Sequence, residues 1–342
     1  MKALVKYAQG GGNMEIREVP IPRIGEDEVL IEVKSAGICG TDLHIQEGTF
    51  PVDAPVTVGH EFSGVIAQKG GEVTRWSIGE RVTSETHAYT CGECYYCRIG
   101  RYNQCPHRKG FGYGLDGGFA RYVRAKARLL HRLPDNVSFD EAALSSPSAD
   151  MIHAVICNTD IEPLSGVAVI GPGPMGLIGV QLAKLRKADK IFAIGRSPMR
   201  LEKAAELGAD ITINPSDENP VERILKETSG EGVDVVLECS GSEAGAQQAV
   251  EMVRRLGQIT LVGIQSGQVP LDLNRILFKE ATVKGSASNT WIDWERALKL
   301  MSRRELRSDL LITHRLPLGD WEEGFRLARE RKAIKVILHP ED

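Results

Sequence analysis

The sequence predicts a two-domain α/β protein, in which a β-rich domain precedes a doubly wound parallel sheet. Residues 3–34 contain short Val- and Ile-rich stretches that alternate with polar residues and are interrupted by Gly and Pro, as in β-rich domains. After Ser146-Pro147 the pattern changes to apolar strands alternating with amphipathic helices, which is typical of a parallel doubly wound sheet. With 342 residues, 42% of them hydrophobic, the chain can bury two cores.

The change of pattern sets the predicted domain boundaries. Residues 1–149 form the β-rich domain, with a cysteine-containing lobe at about 85–110, and residues 150–288 form the α/β domain. Residues 289–342 are too few for a third domain, so we expect them to rejoin the first. Within the α/β domain the pattern predicts strands at 167–170, 191–194, 233–238 and 258–263, with helices at 175–185, 200–207 and near 244–256.

Composition argues against several classes of partner. The net charge of −4 provides no basic field for nucleic acid, and no run of 18 apolar residues could span a membrane. Residues 1–7 read as a strand rather than a signal peptide, because the apolar run is short and contains a charge. We therefore expect a cytoplasmic protein that acts on a small molecule.

A glycine-rich turn follows the first strand of the α/β domain and opens a helix. The turn has the GxGxxG spacing of dinucleotide sites, in which glycines let a pyrophosphate approach the free N–H groups of the helix N-terminus. The alternative is a glycine-rich turn without a ligand. The candidate residues are Gly171, Gly173, Pro174, Met175 and Gly176.

The end of the next strand bears on the choice between the two nicotinamide dinucleotides. NAD-binding proteins place an acidic residue there for the ribose hydroxyls, whereas this chain has Gly195. Arg196, Ser197 and Arg200 follow and can bind a 2′-phosphate, so the sequence predicts NADP. The alternative, in which the two arginines are solvated surface cations, leaves NAD open.

Four of the seven cysteines lie within one short segment. Four soft thiolate ligands around a tetrahedral ion form a closed structural zinc site, and such clustering in a cytosolic protein favours a metal over disulfides. Four free thiols and a redox CxxC pair are the weaker alternatives. The predicted ligands are Cys91, Cys94, Cys97 and Cys105.

A second, mixed ligand set lies nearer the N-terminus. Cys39, His60 and Glu61 offer one sulfur, one nitrogen and one oxygen, and three protein ligands with an open position are the pattern of a catalytic zinc. Taken singly, each residue also has an ordinary structural interpretation. The prediction therefore depends on the three occurring together.

These motifs jointly resemble the zinc-containing medium-chain dehydrogenases, over essentially the full length. The similarity rests on residues 37–44 (GICGTDLH), residues 59–64 (GHEFSG), the four-cysteine lobe, residues 79–82 (GERV) and the late Rossmann unit. The polyol (sorbitol-like) and threonine dehydrogenase branches are the most similar. The resemblance implies a GroES-like catalytic domain, a Rossmann coenzyme domain, and hydride transfer between a secondary alcohol or polyol and NADP.

The resemblance also implies roles for individual residues. Cys39 and His60 match catalytic zinc ligands, and Glu61 matches a glutamate that ligates zinc directly or exchanges with water. Asp42 matches the acid that orients the ligand histidine. Thr41 matches the hydroxyl of a proton relay, and His44 matches its outer histidine; a plain surface histidine is the alternative for His44.

One position departs from the family pattern. Where the polyol and threonine branches have a glutamate before proline, this chain has Ser146 before Pro147. Neutral serine is a poor zinc ligand, and the Ser-Pro step predicts a helix N-cap. Asp150 would share a helix face with Ser146, so the fourth zinc position is taken either by water or by Asp150. Without a further glutamate, Cys39 and Glu61 alone would offset the two zinc charges.

The sequence is also compatible with two other functions. One is a threonine 3-dehydrogenase-like enzyme using NAD, and the other is a non-catalytic dinucleotide-binding or redox-sensing protein that lost its chemistry through Ser146. Two zinc ions per chain would favour an enzyme. The resemblance further implies a homo-oligomer, a dimer or a tetramer, that pairs through a sheet edge at 281–285 and 258–264.

Overall fold

A computed structural model describes residues 1–265 and 267–340 of the chain. The chain forms two compact units. The first unit comprises Met1–Pro147, Thr290–Arg303 and Ser308–Asp342, and the second comprises Ser148–Asn289 and Arg304–Arg307. No helix within 1–265 and 267–340 has the length and apolar character needed to cross a membrane.

The strands of the two units range from two residues in β4 to ten residues in β3. In chain order they are β1 (Lys2–Lys6), β2 (Met14–Glu18), β3 (Glu28–Gly37), β4 (Val56–Thr57), β5 (Glu61–Lys69), β6 (Arg81–Ser84), β7 (Tyr122–Lys126), β8 (Leu130–Arg132), β9 (Gly166–Ile170), β10 (Lys190–Ile194), β11 (Ile211–Ile213), β12 (Val233–Glu238), β13 (Val253–Leu261), β14 (Thr282–Gly285), β15 (Ile312–Pro317) and β16 (Lys335–His339).

The α-helices are divided between the two units, and the first unit contains some that the sequence pattern does not predict. In chain order they are α1 (Gly40–Glu47), α2 (Tyr95–Arg98), α3 (Phe139–Ala143), α4 (Ser145–Ile152), α5 (Pro174–Leu185), α6 (Pro198–Leu207), α7 (Pro220–Glu227), α8 (Glu243–Met252), α9 (Leu273–Lys279), α10 (Trp291–Ser302) and α11 (Trp321–Arg329). A π-helical turn, His153–Cys157, follows α4.

The first unit is built on two sheets, as its β-rich composition predicts. Three strands pair in the order β2-β1-β4, and six pair in the order β15-β16-β3-β5-β6-β8, with β7 added beside β3. Alternate residues of β3 and β5 point into one apolar core that includes Ile31, Val33, Phe62 and Ile66. C-terminal strand β16 pairs with β3, so the end of the chain belongs to the first unit.

The second unit is a parallel sheet of six strands in the order β11-β10-β9-β12-β13-β14. The order reverses between β9 and β12, which is the topological switch point of a doubly wound fold. Ala168, Phe192, Val236 and Ile259 from four neighbouring strands are almost fully buried in its core. The predicted fold class is therefore confirmed.

One predicted helix ends earlier than its apolar pattern indicates. The expected helix near 244–256 is α8, which stops at Met252, and β13 begins at the next residue. Leu256 has a φ of 59°, in the left-handed region that an α-helix excludes. Its side chain is 69% exposed, so Leu256 does not pack in the core although its spacing fits the apolar face of a helix.

Candidate active site

The mixed ligand set of the first unit is assembled by the pairing of two strands. β3 and β5 run antiparallel, and their register places Gly37 opposite Glu61. Cys39 lies two residues beyond Gly37, and His60 immediately precedes β5. A Cβ on Gly37 would lie 2.5 Å from the Glu61 carboxylate, so only glycine leaves room for that side chain. The register thus brings together two segments that are 21 residues apart in sequence.

The short helix α1 fixes the residues between these ligands. Cys39 is its N-cap, and the Asp42 carboxylate accepts the Cys39 backbone N–H at 2.8 Å, which satisfies one of the free donors of the first turn. The helix ends at Gly48, which has a φ of 77°. A Cβ there would lie 2.5 Å from the Gly10 carbonyl carbon, so both backbone conformation and close approach require glycine.

The side chains of Cys39, His60 and Glu61 converge in the folded unit. One potential ligand atom from each lies within 4.8 Å of the others, which is a separation that a single tetrahedral ion can bridge. Asp42 Oδ1 lies 3.6 Å from His60 Nδ1, and this side of the ring leaves Nε2 for a metal. Burial alone would lower the pKa of His60, but the charges of Asp42 and Cys39 raise it well above its ordinary value.

Sequence reasoning missed a buried cation beside this set. Lys335 of β16 is 2% exposed, and its Nζ donates to Glu61 Oε2 and, at 3.0 Å, to the Ile38 carbonyl oxygen. Burial alone would lower the pKa of Lys335, but the Glu61 carboxylate raises it. Lys335 therefore offsets one of the two negative charges, so Cys39 and Glu61 do not fully balance the charge of a zinc ion. A lone lysine inside the apolar run of residues 333–338 was the available signal.

The two candidate relay residues both lie on α1. Thr41 Oγ1 is 3.8 Å from Cys39 Sγ, beside the ligand set. His44 is half-exposed, and its Nδ1 lies 3.3 Å from Thr49 Oγ1 and 3.6 Å from Glu47 Oε2. Thr41 therefore occupies an inner position, and His44 lies at the surface of the unit.

The four predicted lobe cysteines also converge. The sulfur of Cys91 lies 4.0 Å from that of Cys97 and 3.6 Å from that of Cys105. Sulfurs around one tetrahedral zinc are about 3.8 Å apart, whereas a disulfide requires about 2 Å. The Cys94 N–H points at Cys91 Sγ at 3.4 Å, and backbone donors of Cys94 and Glu93 lower the pKa of Cys91 to about 6. This donor set fits a structural zinc.

The glycine-rich turn of the second unit forms a cradle that side chains would fill. Gly171 has a φ of 87°, and a Cβ there would lie 2.7 Å from the backbone of Ser240. A Cβ on Gly176 would lie 2.2 Å from the Gly171 carbonyl oxygen. Gly173 is the N-cap of the twelve-residue α5, with Pro174 and Met175 in its first turn. Free N–H groups at this helix end fit a pyrophosphate.

At the end of β10, Gly195 occupies the position where an acidic residue would bind the ribose hydroxyls, and its surroundings leave no room for a side chain. A Cβ on Gly195 would lie 2.4 Å from Pro172 Cδ in the glycine-rich turn. Any carboxylate there would have to displace that turn. The packing of Gly195 against Pro172 therefore disfavours an acidic residue at this strand end.

Three polar residues surround the same corner of the unit, and they are Arg196, Ser197 and Arg200. Ser197 is the N-cap of α6, and Arg196 is exposed directly before it. Nη1 of Arg200 lies 3.7 Å from the position that a Cβ on Gly173 would take, so its guanidinium borders the glycine-rich turn. Two cations and a helix N-terminus make this corner suitable for a phosphate.

Ser146 and Asp150, the two residues considered for the fourth zinc position, lie on α4. Ser146 is 4% exposed and lies inside the helix, which begins at Ser145; the expectation that Ser146 is the N-cap was therefore wrong. Asp150 accepts a hydrogen bond from Asn289 Nδ2 at 2.6 Å within the second unit. Its carboxylate is thus already engaged by an amide donor.

Two protein-family models match this chain. Residues 25–135 match the family model for the alcohol dehydrogenase GroES-like domain, and residues 174–303 match that for the zinc-binding dehydrogenase. The chain belongs to the zinc-binding alcohol dehydrogenase family. The resemblance stated from the motifs is therefore confirmed, and the protein is an NAD(P)-dependent alcohol dehydrogenase.

Full-length relatives of this dehydrogenase differ in their substrates. The sorbitol dehydrogenase of Halalkalibacterium halodurans is 42% identical, with 100% of each chain covered. The L-threonine 3-dehydrogenase of Bacillus velezensis is 38% identical, with 99% of each covered. Among solved structures, a Sinorhizobium meliloti chain described as a zinc-binding dehydrogenase bound to NADP has a TM-score of 0.93 and 32% identity, with 99% of each covered.

Proposed function

We propose that this dehydrogenase interconverts a secondary alcohol or polyol and its ketone, with one catalytic zinc, one structural zinc and NADP. The convergence of Cys39, His60 and Glu61 within 4.8 Å carries the proposal, because it supplies three mixed ligands for one ion. A closed four-cysteine lobe accounts for the second zinc. Identity to a sorbitol dehydrogenase supports a polyol as the substrate.

The chemistry divides between the bound groups and the chain. Zinc supplies a Lewis acid that lowers the pKa of an alcohol, and the nicotinamide ring supplies the hydride acceptor. Cys39 and His60 hold the metal, while Asp42 orients the His60 ring through its Nδ1 side. Glu61 shares its negative charge with Lys335, which leaves the ligand set less anionic and favours an anionic substrate oxygen.

The proton of the alcohol leaves through residues of α1. The Thr41 hydroxyl, beside Cys39, takes the proton, and His44 at the surface passes it to solvent. Replacing Thr41 with Val removes the hydroxyl but keeps the shape of the side chain, so turnover should fall about 100-fold or more. Near-normal turnover of Thr41→Val, measured with bound zinc unchanged, would remove Thr41 from the relay.

The preference for NADP is proposed on the geometry of the β10 corner. Gly195 packs too closely on Pro172 to be replaced by an acid, and Arg196 and Arg200 provide cations for a 2′-phosphate. The NADP-bound Sinorhizobium meliloti structure supports this choice. Initial rates with NADP and NAD decide it, and a clear preference for NAD would refute it.

A second candidate is threonine 3-dehydrogenase activity, which identity to the L-threonine 3-dehydrogenase of Bacillus velezensis favours. A panel of polyols, L-threonine and simple secondary alcohols, assayed with both dinucleotides alongside zinc analysis, separates the two activities. Highest kcat/KM for a polyol with NADP and two zincs per chain would support the proposal. Highest kcat/KM for L-threonine would replace it, and one zinc without turnover would favour a non-catalytic dinucleotide-binding protein.

We also propose a cytoplasmic homo-oligomer, a dimer or a tetramer, that pairs through β14. This strand is the edge of the parallel sheet, and Val283 on it is 37% exposed. The preceding helix α9 exposes Leu273, Leu277 and Phe278 by 65% or more, which adds apolar surface close in sequence to this edge strand. Light scattering should give a multiple of the 37.4 kDa chain, and Val283→Lys should reduce it towards one chain.

A further inference from the structure

A buried acid in the second unit has no part in the chemistry described above. Glu238 is the last residue of β12 and is fully buried. Its carboxylate accepts hydrogen bonds from the Ser240 N–H at 2.9 Å, the Ser240 hydroxyl, the Gly241 N–H at 3.2 Å and Gln265 Nε2 at 3.3 Å. These donors are uncharged, and they come from two separate loops. One side chain thus anchors two loops at the same edge of the sheet.

Those loops surround the switch point of the sheet. β9 and β12 are neighbours there, and ligands of doubly wound folds bind at the carboxyl ends of these strands. A Cβ on Gly171 would lie 2.7 Å from Ser240, and a Cβ on Gly263 would lie 2.2 Å from the Gly241 nitrogen. The loops after β9, β12 and β13 are therefore in van der Waals contact with one another.

The carboxylate also lies below the start of α8. A Cβ on Gly245 would be 2.8 Å from Glu238 Oε1, and Ser242 caps this ten-residue helix by accepting the Gly245 N–H. A negative charge near a helix N-terminus is favourable. Glu238 is accordingly held in one place by the helix as well as by the loops, so it can act as a fixed anchor.

The fold indicates which half of the dinucleotide these loops face. The two halves of a doubly wound sheet each receive one mononucleotide. The 2′-phosphate corner with Gly195 and Arg196 follows β10, so the β9-β10-β11 half takes the adenosine end. The β12-β13-β14 half, which contains Glu238, is left for the nicotinamide end.

We propose that Glu238 is a positioning residue for the nicotinamide half of the cofactor. By anchoring Ser240, Gly241 and Gln265, it fixes the loops that receive this half, while the adenosine half binds to elements that Glu238 does not touch. The inference rests on the proposed function in the choice of NADP as the ligand. It does not depend on which alcohol is oxidised, because it concerns cofactor binding alone.

A binding experiment with a whole and a half cofactor tests the proposal. Wild type and Glu238→Gln are titrated with NADPH and with 2′,5′-ADP, which carries only the adenosine and phosphate end, by fluorescence and calorimetry. In Glu238→Gln an amide NH₂ replaces one of the two carboxylate oxygens. Its N–H groups cannot accept hydrogen bonds from the loop donors that point at that oxygen, so the loops should be held less firmly. We expect the Kd for NADPH to rise at least about tenfold, while that for 2′,5′-ADP stays within about twofold.

Asp234→Asn is the matched control. Asp234 lies on the same strand near its other end, where it accepts the Gly166 N–H at 2.7 Å and pairs with Arg254 at 2.6 Å. Its replacement also removes a carboxylate that accepts a backbone hydrogen bond. It should leave both Kd values within about twofold of wild type, because this end of β12 does not border the cofactor.

Several results would overturn the proposal: an unchanged Kd for NADPH, an equal loss for both ligands, or the same selective loss in Asp234→Asn. If circular dichroism shows that Glu238→Gln does not fold, Gln265→Ala is used instead, because it removes one donor to Glu238 from a half-buried position. This variant should still raise the Kd for NADPH about threefold without raising that for 2′,5′-ADP. An equal rise in the Kd values of both ligands in that variant would refute the proposal.

The same experiment separates this inference from the proposed function. If the protein prefers NAD, the comparison is run with NADH and 5′-AMP, and the expected selectivity is the same. Selective weakening in a protein that oxidises no alcohol would leave Glu238 as a positioning residue and refute the proposed activity. Alcohol oxidation without a selective loss of NADPH binding would support the proposed activity and refute the role of Glu238.

Discussion

The two candidate zinc sites of the first unit are built on different principles. The lobe takes four cysteines from fifteen consecutive residues, and its sulfurs lie at tetrahedral separations with no other ligand type among them. The mixed site takes Cys39 from the segment after β3 and His60 from the residue before β5, and it has Asp42 and Lys335 beside it. A closed homogeneous set suits an ion that only stabilises, whereas a mixed set with charged neighbours can tune an ion that reacts.

The largest expected effect concerns the lobe. Cys105→Ser should leave three thiolates, lower the zinc content by one ion per chain and destabilise the first unit by more than about 5 kcal/mol, because the binding energy of a structural zinc is folding energy. Zinc analysis and thermal unfolding measure this. Tyr95→Phe, which changes an exposed side chain of the lobe that offers no zinc ligand, is the control and should change neither quantity. Full zinc content in Cys105→Ser would contradict the lobe as a four-thiolate site.

A different outcome is expected for the mixed site. His60→Ala should also remove one zinc, but turnover should fall by about 1,000-fold while thermal stability changes little, since this ion serves chemistry rather than folding. The exposed His107→Ala is the matched control. A loss of stability as large as that of Cys105→Ser would erase the proposed distinction between the two sites.

Lys335 sharpens the comparison further, because it places a buried cation against a ligand carboxylate of the mixed site. Lys335→Met leaves the Glu61 carboxylate buried without its partner, so the free energy of unfolding should fall by about 3 kcal/mol with two zincs retained. Urea unfolding measures it, and Lys335→Arg should restore most of the loss. If Lys335→Met is as stable as wild type, the ion pair is not structural.

The pH dependence of this ion pair has a defined sign. Glu61 raises the pKa of Lys335 above its ordinary value of 10.5, so the contribution of the pair to stability is fully present below that pH. It is lost as the pH rises through the raised pKa. The difference in stability between wild type and Lys335→Met should therefore shrink only in strongly alkaline solution.

The smallest expected effect belongs to Asp42. Asp42→Asn keeps an oxygen that can accept the Cys39 N–H, so α1 should remain capped, but it removes the charge beside His60 Nδ1. The zinc affinity of the mixed site should fall about 10- to 100-fold, while the lobe keeps its affinity. Chelator competition resolves the two ions, and an equal decrease at both sites would show that Asp42 acts on the whole unit.

Sequence patterns predicted most of the second unit because its strands are continuous apolar runs. β12 has the predicted bounds, and the predicted helices at 175–185 and 200–207 appear as α5 and α6 with small extensions at their starts. Helix α1 was not predicted, since its eight residues have no apolar stripe and its start depends on the Asp42 cap. Ser146 was misplaced at the N-cap because α3 ends at Ala143 and α4 already begins at Ser145, so the Ser-Pro step falls inside the first turn of α4.

The sequence by itself determined what short spacing can encode, and that includes the four-cysteine lobe, the glycine-rich turn and the absence of an acid at Gly195. Only the tertiary structure decided that Lys335, 274 residues from Glu61, lies against it, and that Glu238 anchors loops from two strands. The physical reason is that ligands within one turn or loop meet through local backbone geometry. Partners far apart in sequence meet only when strand register and burial place them together. Neither the register nor the burial can be read from the local sequence alone.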